Sequence, residues 1–307
     1  MENQVLVVHV MADNFFPARV RGRLSELAGL LLLAIVILPF PVLAHIGISE
    51  EIEEVTGQLQ DDPDAPELYL LRGDLHRLHR HWSEAITDFR TARQLDPGNN
   101  APADLGMGRT YLDQGLYKKA LKHLDRALAG QPDNVRGLDA RARTFTLLGK
   151  PLAAAADYQR AIDSFRSPKK PLPGYYFERA RAFEAAGVEY FGAALQTLDA
   201  GISMLGDLRV LEDYAIELER KRGNYDAALQ RLDRVINRSA RKEALLMKRG
   251  EILIEAGRTL EAEDNFTAAR DAIHALPQHR RHSRAVKQMQ TDINRHIHSP
   301  DHHGGGH

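Results

Sequence analysis

Residues Leu105 to Asn134 read LGMGRTYLDQGLYKKALKHLDRALAGQPDN, and the chain repeats this layout before and after them. Two further copies are LYLLRGDLHRLHRHWSEAITDFRTARQLDPGN (Leu68 to Asn99) and LLMKRGEILIEAGRTLEAEDNFTAARDA (Leu245 to Ala272). A small residue recurs in the second half of each unit, at Ala85, Ala120, Ala154, Ala194, Ala228 and Ala262. By subtraction the steps between them are 35, 34, 40, 34 and 34 residues. Such a period predicts a repeat architecture.

A second small residue recurs in the first half of the units, at Gly73, Gly108, Ala142, Ala180 and Gly250. Where two antiparallel helices cross at close range, only glycine or alanine leaves room for the partner helix. The pattern therefore predicts helical hairpins that close on small residues. We expect large apolar side chains to fill the spaces between them, at Trp82, Phe89, Leu95, Tyr111, Tyr117, Leu124, Leu253, Leu260 and Phe266.

The residues between the helices fit the same interpretation. Glycine adopts the left-handed conformation that ends many helices at little cost, and it is expected in the turns at Gly115, Gly149, Gly187, Gly223 and Gly257. Pro97 and Pro132 are expected to end the second helix of their units.

Together these positions resemble the tetratricopeptide repeat, a family with a period of 34 residues. The resemblance implies an all-α fold, a right-handed α-solenoid of about six helix-turn-helix hairpins with a C-terminal capping helix. The units are expected at about 66–100, 101–134, 135–168, 173–207, 208–241 and 242–277, within a solenoid of residues 66–277.

The flanking segments complete this division of the chain. Residues 45–65 are expected to form a short leading helix, and residues 278–298 a cap whose apolar face carries Val286, Met289, Ile293 and Ile297. Residues 299–307 form a His/Gly-rich tail that is predicted to be disordered.

Two units depart from the pattern. The fourth follows a proline-rich joint at residues 167–173 and carries about two extra residues around Val188, Glu189 and Tyr190, so a bend or hinge is expected there. The fifth has Ile216 where the small residue of the first helix should be, which leaves open how this hairpin packs.

The first 44 residues are typical of a signal peptide. Arg19, Arg21 and Arg23 precede an uncharged run, AGLLLLAIVILPFPVLA, at residues 28–44. A basic segment, an apolar segment and small residues at the cut predict cleavage before His45 and export to the periplasm or the medium. Met11 is a possible alternative start. In the other interpretation the run stays uncleaved and anchors the protein in the inner membrane, although it is shorter than the roughly 20 residues of a spanning helix.

Composition limits the partners. The 307 residues carry 41 basic and 42 acidic side chains, a net charge of -1, which gives no general reason to expect nucleic acid or an anionic membrane as partner. There is no cysteine, which excludes disulfides, thiolate metal sites and a cysteine nucleophile. No cofactor is expected, and the oligomeric state is open.

In the resembled family the first helices form a concave wall that holds extended peptides or a partner's helix. The residues expected to face this groove follow the small position of each first helix: Asp74, Arg109, Arg143, Arg181, Glu217 and Glu251. We call these six residues the groove row. Because a guanidinium suits a carboxylate, the three arginines are hypothesised to bind an acidic segment or a chain terminus. Alternatively, they are solvated or paired with local acids such as Asp104, Asp139 and Glu178.

Histidines suggest a rival function. His296, His298, His302, His303 and His307 near the C-terminus could hold a transition metal, and His45 would add an α-amino group and an imidazole after cleavage. A second cluster, His76, His79 and His81, is interpreted as surface residues.

No catalytic motif is present: the chain has no phosphate-binding glycine loop, Gly-x-Ser-x-Gly elbow or His-Glu-x-x-His helix. The sequence thus predicts an exported, non-catalytic scaffold that binds a protein or peptide in its groove, and not an enzyme. The alternative is a periplasmic metal-handling accessory protein that uses its His-rich termini.

Overall fold

The computed structural model describes residues 40–165 and 169–297, and every regular element in these two ranges is helical. A leading helix α1 (Phe40–Asp61) precedes the first hairpin. The hairpin helices are α2 (Pro66–Leu78), α3 (Trp82–Leu95), α4 (Ala101–Asp113), α5 (Tyr117–Gly130), α6 (Val135–Leu147), α7 (Pro151–Asp163), α8 (Pro173–Ala186), α9 (Phe191–Leu205), α10 (Arg209–Lys221), α11 (Tyr225–Arg238), α12 (Glu243–Glu255) and α13 (Thr259–His274). The short α14 (Gln278–Arg281) and the cap α15 (Arg284–Ile297) follow.

The helices pair in chain order into six antiparallel hairpins, α2 with α3 through α12 with α13. Each helix also packs on the next one along the chain, α1 covers α2, and α15 covers α13. First helices of successive hairpins touch one another, as α2 touches α4, α4 touches α6 and α8 touches α10. This is the predicted all-α solenoid with a C-terminal capping helix, and the fold class is confirmed.

The hairpins close at the small residues, as predicted. The recurring alanines of the second helices are completely buried, at Ala85, Ala120, Ala154, Ala194, Ala228 and Ala262. A Cβ atom placed on Gly73 would lie 2.8 Å from Cε1 of Phe89, and one on Gly250 would lie 2.7 Å from Cε1 of Phe266. These distances are shorter than van der Waals contact, so the ring occupies the volume that glycine leaves empty.

The fifth hairpin shows how the pattern accommodates a large residue. Ile216 is completely buried, in one apolar cluster with Leu232. Leu232 stands four residues after Ala228, where the first and last hairpins have Phe89 and Phe266. A branched aliphatic pair thus replaces the glycine and phenylalanine pair at this crossing.

Two predicted core positions were wrong. Leu95, the last residue of α3, is 36% exposed. Leu260 is 79% exposed, because it is the second residue of α13 and points out of the hairpin. Leu152, the second residue of α7, is likewise exposed. Among the other predicted core residues Phe89, Leu124, Leu253 and Phe266 are buried.

Left-handed turns end four first helices, at Gly115, Gly149, Gly223 and Gly257, with φ between 68° and 76°. Gly187 has a φ of 133°, because a 3-10 turn at Val188–Tyr190 follows it and takes up the extra residues of the fourth unit. In the first hairpin Arg80 occupies the turn with a φ of 62°, a conformation that costs a side-chain-bearing residue about 1 kcal/mol or more.

The proline-rich joint does not interrupt the apolar core. Tyr158 of α7 and Tyr175 of α8 have ring centroids 6.5 Å apart, and Ala182 of α8 belongs to the same buried cluster as Tyr158. Lys170 Nζ donates to the carbonyl oxygen of Met204 at 2.9 Å, which fastens the joint to the end of α9. Residues 167 and 168 of the joint, and residue 166 before it, lie outside the described residues.

The two ends of the array are covered as expected. Val55 and Leu59 of α1 are buried with Leu75, and Val286 and Ile293 of α15 are buried on the last hairpin. The leading helix begins at Phe40, five residues before His45, and so runs through the predicted cleavage junction.

Residues 1–39 and 298–307 are outside the described part of the chain, so the signal peptide and the tail remain predictions. None of the helices described between residues 40 and 297 is both long enough and apolar enough to cross a membrane.

We predict that Gly250→Ala lowers the free energy of unfolding by about 1–3 kcal/mol, because the new methyl group overlaps Phe266. The matched control is Gly57→Ala in α1, where a Cβ would meet no atom within 4 Å; it should raise stability by up to about 1 kcal/mol through helix propensity. Guanidinium unfolding of the two variants measures both effects. Equal effects would contradict tight packing at Gly250.

Candidate functional site

The contacts between first helices place the groove row on neighbouring helices, and several of its members are already paired. Arg109 Nη1 lies 3.2 Å from Asp74 Oδ1 on the preceding first helix. Arg181 Nη1 lies 3.3 Å from Glu178 Oε1, one turn earlier on its own helix. The alternative of local pairing therefore holds for these two arginines, although Arg109 pairs with Asp74 and not with Asp104.

Arg143 differs from its two neighbours in the row. It is exposed, and no carboxylate of the described residues lies within 4.0 Å of its guanidinium. Arg136, two turns earlier on α6, is also exposed and also lacks an acidic partner within the described ranges. Helix α6 thus carries two guanidinium groups that form no ion pair within the described residues.

These residues surround a cavity of about 170 Å³ between α2, α4, α6 and α8. We call it the arginine cavity, and it is lined by Arg77, Arg109, Leu112, Asp113, Arg136, Asp139, Ala140, Arg143 and Tyr175. Four guanidinium groups and two carboxylates thus line the cavity. Because there are twice as many cations as anions, the two carboxylates cannot neutralise all four guanidinium groups.

One of the two acids is already engaged. Arg77 bridges Asp74 at 3.1 Å and Asp113 at 2.6 Å, so these side chains form a fixed network at the α2 side of the cavity. Burial lowers the pKa of Arg109, and Asp74 opposes that effect. The cavity's excess positive charge is therefore on its α6 side.

The other acid, Asp139, lies on α6 between Arg136 and Arg143. Burial raises the pKa of its carboxyl group, while the charges of Arg143 and Arg109 lower it by a smaller amount. Burial also raises the pKa of Tyr175, so its hydroxyl group stays protonated and can donate a hydrogen bond at neutral pH. The cavity can therefore offer an anion both guanidinium and hydroxyl donors.

The C-terminal half of the groove row has the opposite sign. Glu217 pairs with Arg220 at 3.1 Å, and Arg220 also holds Glu255 of α12 through two contacts of 2.6 Å. These hydrogen bonds, together with the nearby charges of Glu217, Glu255 and Glu251, raise the pKa of Arg220. The groove row thus changes from basic near α6 to acidic near α10 and α12.

A separate set of arginines, one residue before the small positions, is structural. Arg72 binds both carboxylate oxygens of Asp88 at 2.9 and 2.8 Å, and Arg141 binds Asp157 twice at 2.7 Å. Each pair joins the two helices of one hairpin, and both acids are buried. Arg249 instead pairs with Asp233 of the preceding hairpin at 2.7 Å.

Sequence reasoning placed Arg109 and Arg143 in the groove but did not include Arg136, Asp113 and Tyr175. For Arg136 a signal was available, since residues 136, 139 and 143 are spaced by three and four and so share one face of a helix. Tyr175 is brought in by the packing of α8 on α7, which no local pattern reveals.

The predicted metal ligands are mostly outside the described residues. His298, His302, His303 and His307 follow residue 297, and the side chain of His45 is also not described. His296 is half-buried, and its ring stacks on Phe266 with centroids 4.5 Å apart, so it packs the cap onto the last hairpin.

The first-hairpin histidines do come together. Ring centroids of His76 and His81 are 5.7 Å apart, and those of His79 and His81 are 5.5 Å apart. Even so, no three His, Cys, Asp or Glu side chains among the described residues are arranged to hold a metal ion. Metal handling stays an untested prediction.

Comparison with known proteins agrees with this geometry. Residues 77–144 and residues 215–279 each match a tetratricopeptide repeat model. The C-terminal part of a TPR repeat-containing protein from Cytophaga hutchinsonii has a similar fold, with a TM-score of 0.59 at 13% identity over 79% of this chain and 94% of that chain. No curated protein matches this chain.

Two further structures align with lower scores. A tetratricopeptide repeat protein from Parabacteroides merdae aligns with a TM-score of 0.46 at 15% identity, over 83% of this chain and 95% of that chain. YrrB, a TPR protein with an unusual peptide-binding site, aligns with a TM-score of 0.38 at 16% identity, over 72% of this chain and 93% of that chain.

Residues 77–144 and 215–279 are therefore similar to tetratricopeptide repeats, and the fold is that of a tetratricopeptide repeat solenoid. Repeats of this kind generally bind protein or peptide partners and are generally non-catalytic.

We predict that Asp139→Asn stabilises the protein at pH 7. The folded-state pKa of Asp139 is raised, so its ionised form is penalised in the folded protein, and this penalty develops as pH rises through the ordinary pKa of 3.8. The difference between variant and wild type should disappear below that pH. Denaturant unfolding at pH 3 and pH 7 measures it, and a destabilised variant at pH 7 would contradict the assignment.

Proposed function

We propose that this protein is an exported, non-catalytic scaffold that holds a protein or peptide partner against the wall formed by its first helices. The arginine cavity receives a carboxylate of the partner, either an acidic side chain or the chain terminus. The observation that supports this proposal most directly is that Arg136 and Arg143 face the cavity without a carboxylate partner among the described residues.

The chemistry of the cavity favours a carboxylate over a neutral group. A guanidinium presents donors in a planar fork that matches the two oxygens of a carboxylate. Hydrogen bonds to charged groups contribute about 1.5–3 kcal/mol each, so two such contacts would supply a useful part of the free energy of a micromolar complex. Arg109 adds long-range attraction, but its contact with Asp74 leaves it less free to bind.

The change of sign along the groove row gives the partner a direction. An acidic residue would lie near α6, and a basic residue further along the same segment would lie near Glu217 and Glu251 on α10 and α12. Like charges at either position would be repelled, so the row would select the orientation of the bound segment as well as its composition.

Export is part of the proposal and rests on residues 1–44. Export is supported by the arginines near the start of the chain, the apolar run and the small residues before His45. A cleaved and exported protein would meet its partner in the periplasm or outside the cell. An uncleaved run at residues 28–44 would instead hold the scaffold at the inner membrane.

We predict that a groove variant, Arg136→Glu with Arg143→Glu, loses a partner that wild type retains. Wild type and the groove variant are expressed in the host and recovered from its envelope and secreted fractions. The N-terminal residue of each recovered protein is determined first, and we expect His45. Captured proteins are then identified by mass spectrometry. The charge reversal should reduce retention at least about tenfold, because two attractive contacts become repulsive.

The matched control is Arg90→Glu with Arg126→Glu. Both arginines are exposed on second helices and have no acidic partner among the described residues, so the net charge change is identical. Retention should equal that of wild type. Loss of the partner in both variants, or in neither, would contradict the arginine cavity as the binding site. Recovered protein that still begins at Met1 or Met11 would contradict cleavage before His45.

A further inference from the structure

The N-terminal end of the array is strongly acidic. Between residues 46 and 71 there is no lysine or arginine, while eight carboxylates occur at Glu50, Glu51, Glu53, Glu54, Asp61, Asp62, Asp64 and Glu67. All eight are exposed, and within residues 40–165 and 169–297 none forms an ion pair. We call this surface the acidic end.

The C-terminal end is basic. Residues 278–297 carry Arg280, Arg281, Arg284, Lys287 and Arg295 against one acid, Asp292. Arg295 pairs with Asp292 at 3.1 Å, whereas the other four cations have no acidic partner among the residues that the structure describes. The Nε atom of Arg281 is in addition buried without a hydrogen-bond partner there. We call this surface the basic end.

Cations without an acidic partner also occur within the hairpins, as at Arg90 and Arg126. Most hairpin arginines nevertheless bind a carboxylate, as Arg72 does across its hairpin and Arg220 does between neighbouring hairpins. The two ends of the array differ from the hairpins because each end carries charges of almost one sign.

The two charged surfaces lie at opposite ends of the array. Val55 and Leu59 of α1 are buried on the first hairpin. Val286 and Ile293 of α15 are buried on the last hairpin. A contact between the acidic and basic ends of one molecule would require the array to close on itself, whereas two molecules can meet end to end.

We infer that the basic end of one copy docks on the acidic end of a second copy, so that the protein associates head to tail. The contact is heterologous: each copy uses one surface and leaves its other end free, and growth continues beyond a dimer unless the rotation between copies closes a ring. The groove is not used, so every copy in such an assembly keeps its arginine cavity open.

The interface is electrostatic and reversible. No large apolar side chain is exposed between residues 49 and 67 or between 278 and 297, so there is little apolar surface to bury. Exposed ion pairs contribute little each, and salt screens them. The association should therefore be weak at physiological salt and depend on a high local concentration.

A second copy fits better than a nucleic acid. Four unpaired cations provide fewer phosphate contacts than the 6–10 typical of a DNA-binding protein. The complementary surface, in contrast, is present on every copy at equal concentration. Binding to another polyanion is nevertheless an outcome that the experiment distinguishes.

Three charge-reversed full-length chains test the inference. The cap variant carries Arg280→Glu, Arg281→Glu, Arg284→Glu and Lys287→Glu. The α1 variant carries Glu50→Lys, Glu51→Lys, Glu53→Lys, Glu54→Lys, Asp61→Lys and Asp62→Lys. The double variant combines both sets, and circular dichroism with an unfolding curve establishes that each chain is folded.

Sedimentation velocity is measured in a non-ionic detergent that keeps residues 28–44 dispersed, at 50 mM and 300 mM salt. Wild type should form species larger than dimers at 50 mM salt, with an apparent dissociation constant at least about tenfold weaker at 300 mM. Each single-end variant alone should be monomeric. An equimolar mixture of the cap and α1 variants, and the double variant alone, should associate again because opposite charges face each other.

Several results would overturn the inference. These are a wild type that is monomeric up to about 1 mM, single-end variants that associate like wild type, or a mixture that stays monomeric. Association that stops at two copies and persists in both single-end variants would indicate a dimer built on another surface. If wild type does not self-associate but binds heparin, and the cap variant loses that binding, the basic end is a binding surface for another polyanion.

Discussion

The close crossing of two helices at small residues is the constraint on which the rest of the structure depends. In all six hairpins an alanine of the second helix is completely buried, and in the first and last a phenylalanine ring fills the space above a glycine of the first helix. This contact sets the distance between helices, and it recurs in every hairpin, at steps of 34 or 35 residues except for one step of 40 before the fourth hairpin. The fifth hairpin, with Ile216 and Leu232 in one buried cluster, shows that the crossing accepts a different pair of side chains in place of glycine and phenylalanine.

The stacking decides which charges are neutralised. Polar side chains that face a neighbouring helix find partners at fixed separations, as in the pairs of Arg72 with Asp88 and of Arg141 with Asp157. Charges without partners occur on α6, at Arg136 and Arg143, and at the two ends of the array, but also on second helices, at Arg90 and Arg126. The arginine cavity and the two ends differ because charges of one sign gather there, and a partner is expected to supply the opposite sign.

Sequence was sufficient for the fold because its signals are local and repeated: the small residues, the turn glycines and the apolar face of the cap each recur at helical or 34-residue spacing. It was insufficient for the site because the decisive contacts join different hairpins. Arg109 and Asp74 are 35 residues apart, and whether they touch depends on the angle between α2 and α4. Tyr175 enters the cavity only through the packing of α8. Leu260 was misassigned since apolar character alone does not show which face of α13 turns outward.

The most direct test of this account is a double-mutant cycle at the first crossing, with Gly73→Ala, Phe89→Ala and the combination. Phe89→Ala removes the ring atoms that a Cβ on Gly73 would meet at 2.8 Å. If this contact sets the spacing of the helices, Gly73→Ala costs about 1–3 kcal/mol of unfolding free energy in wild type and at least about 1 kcal/mol less beside Ala at position 89. Costs that add to within about 0.5 kcal/mol would contradict the claim that this contact sets the spacing of the helices.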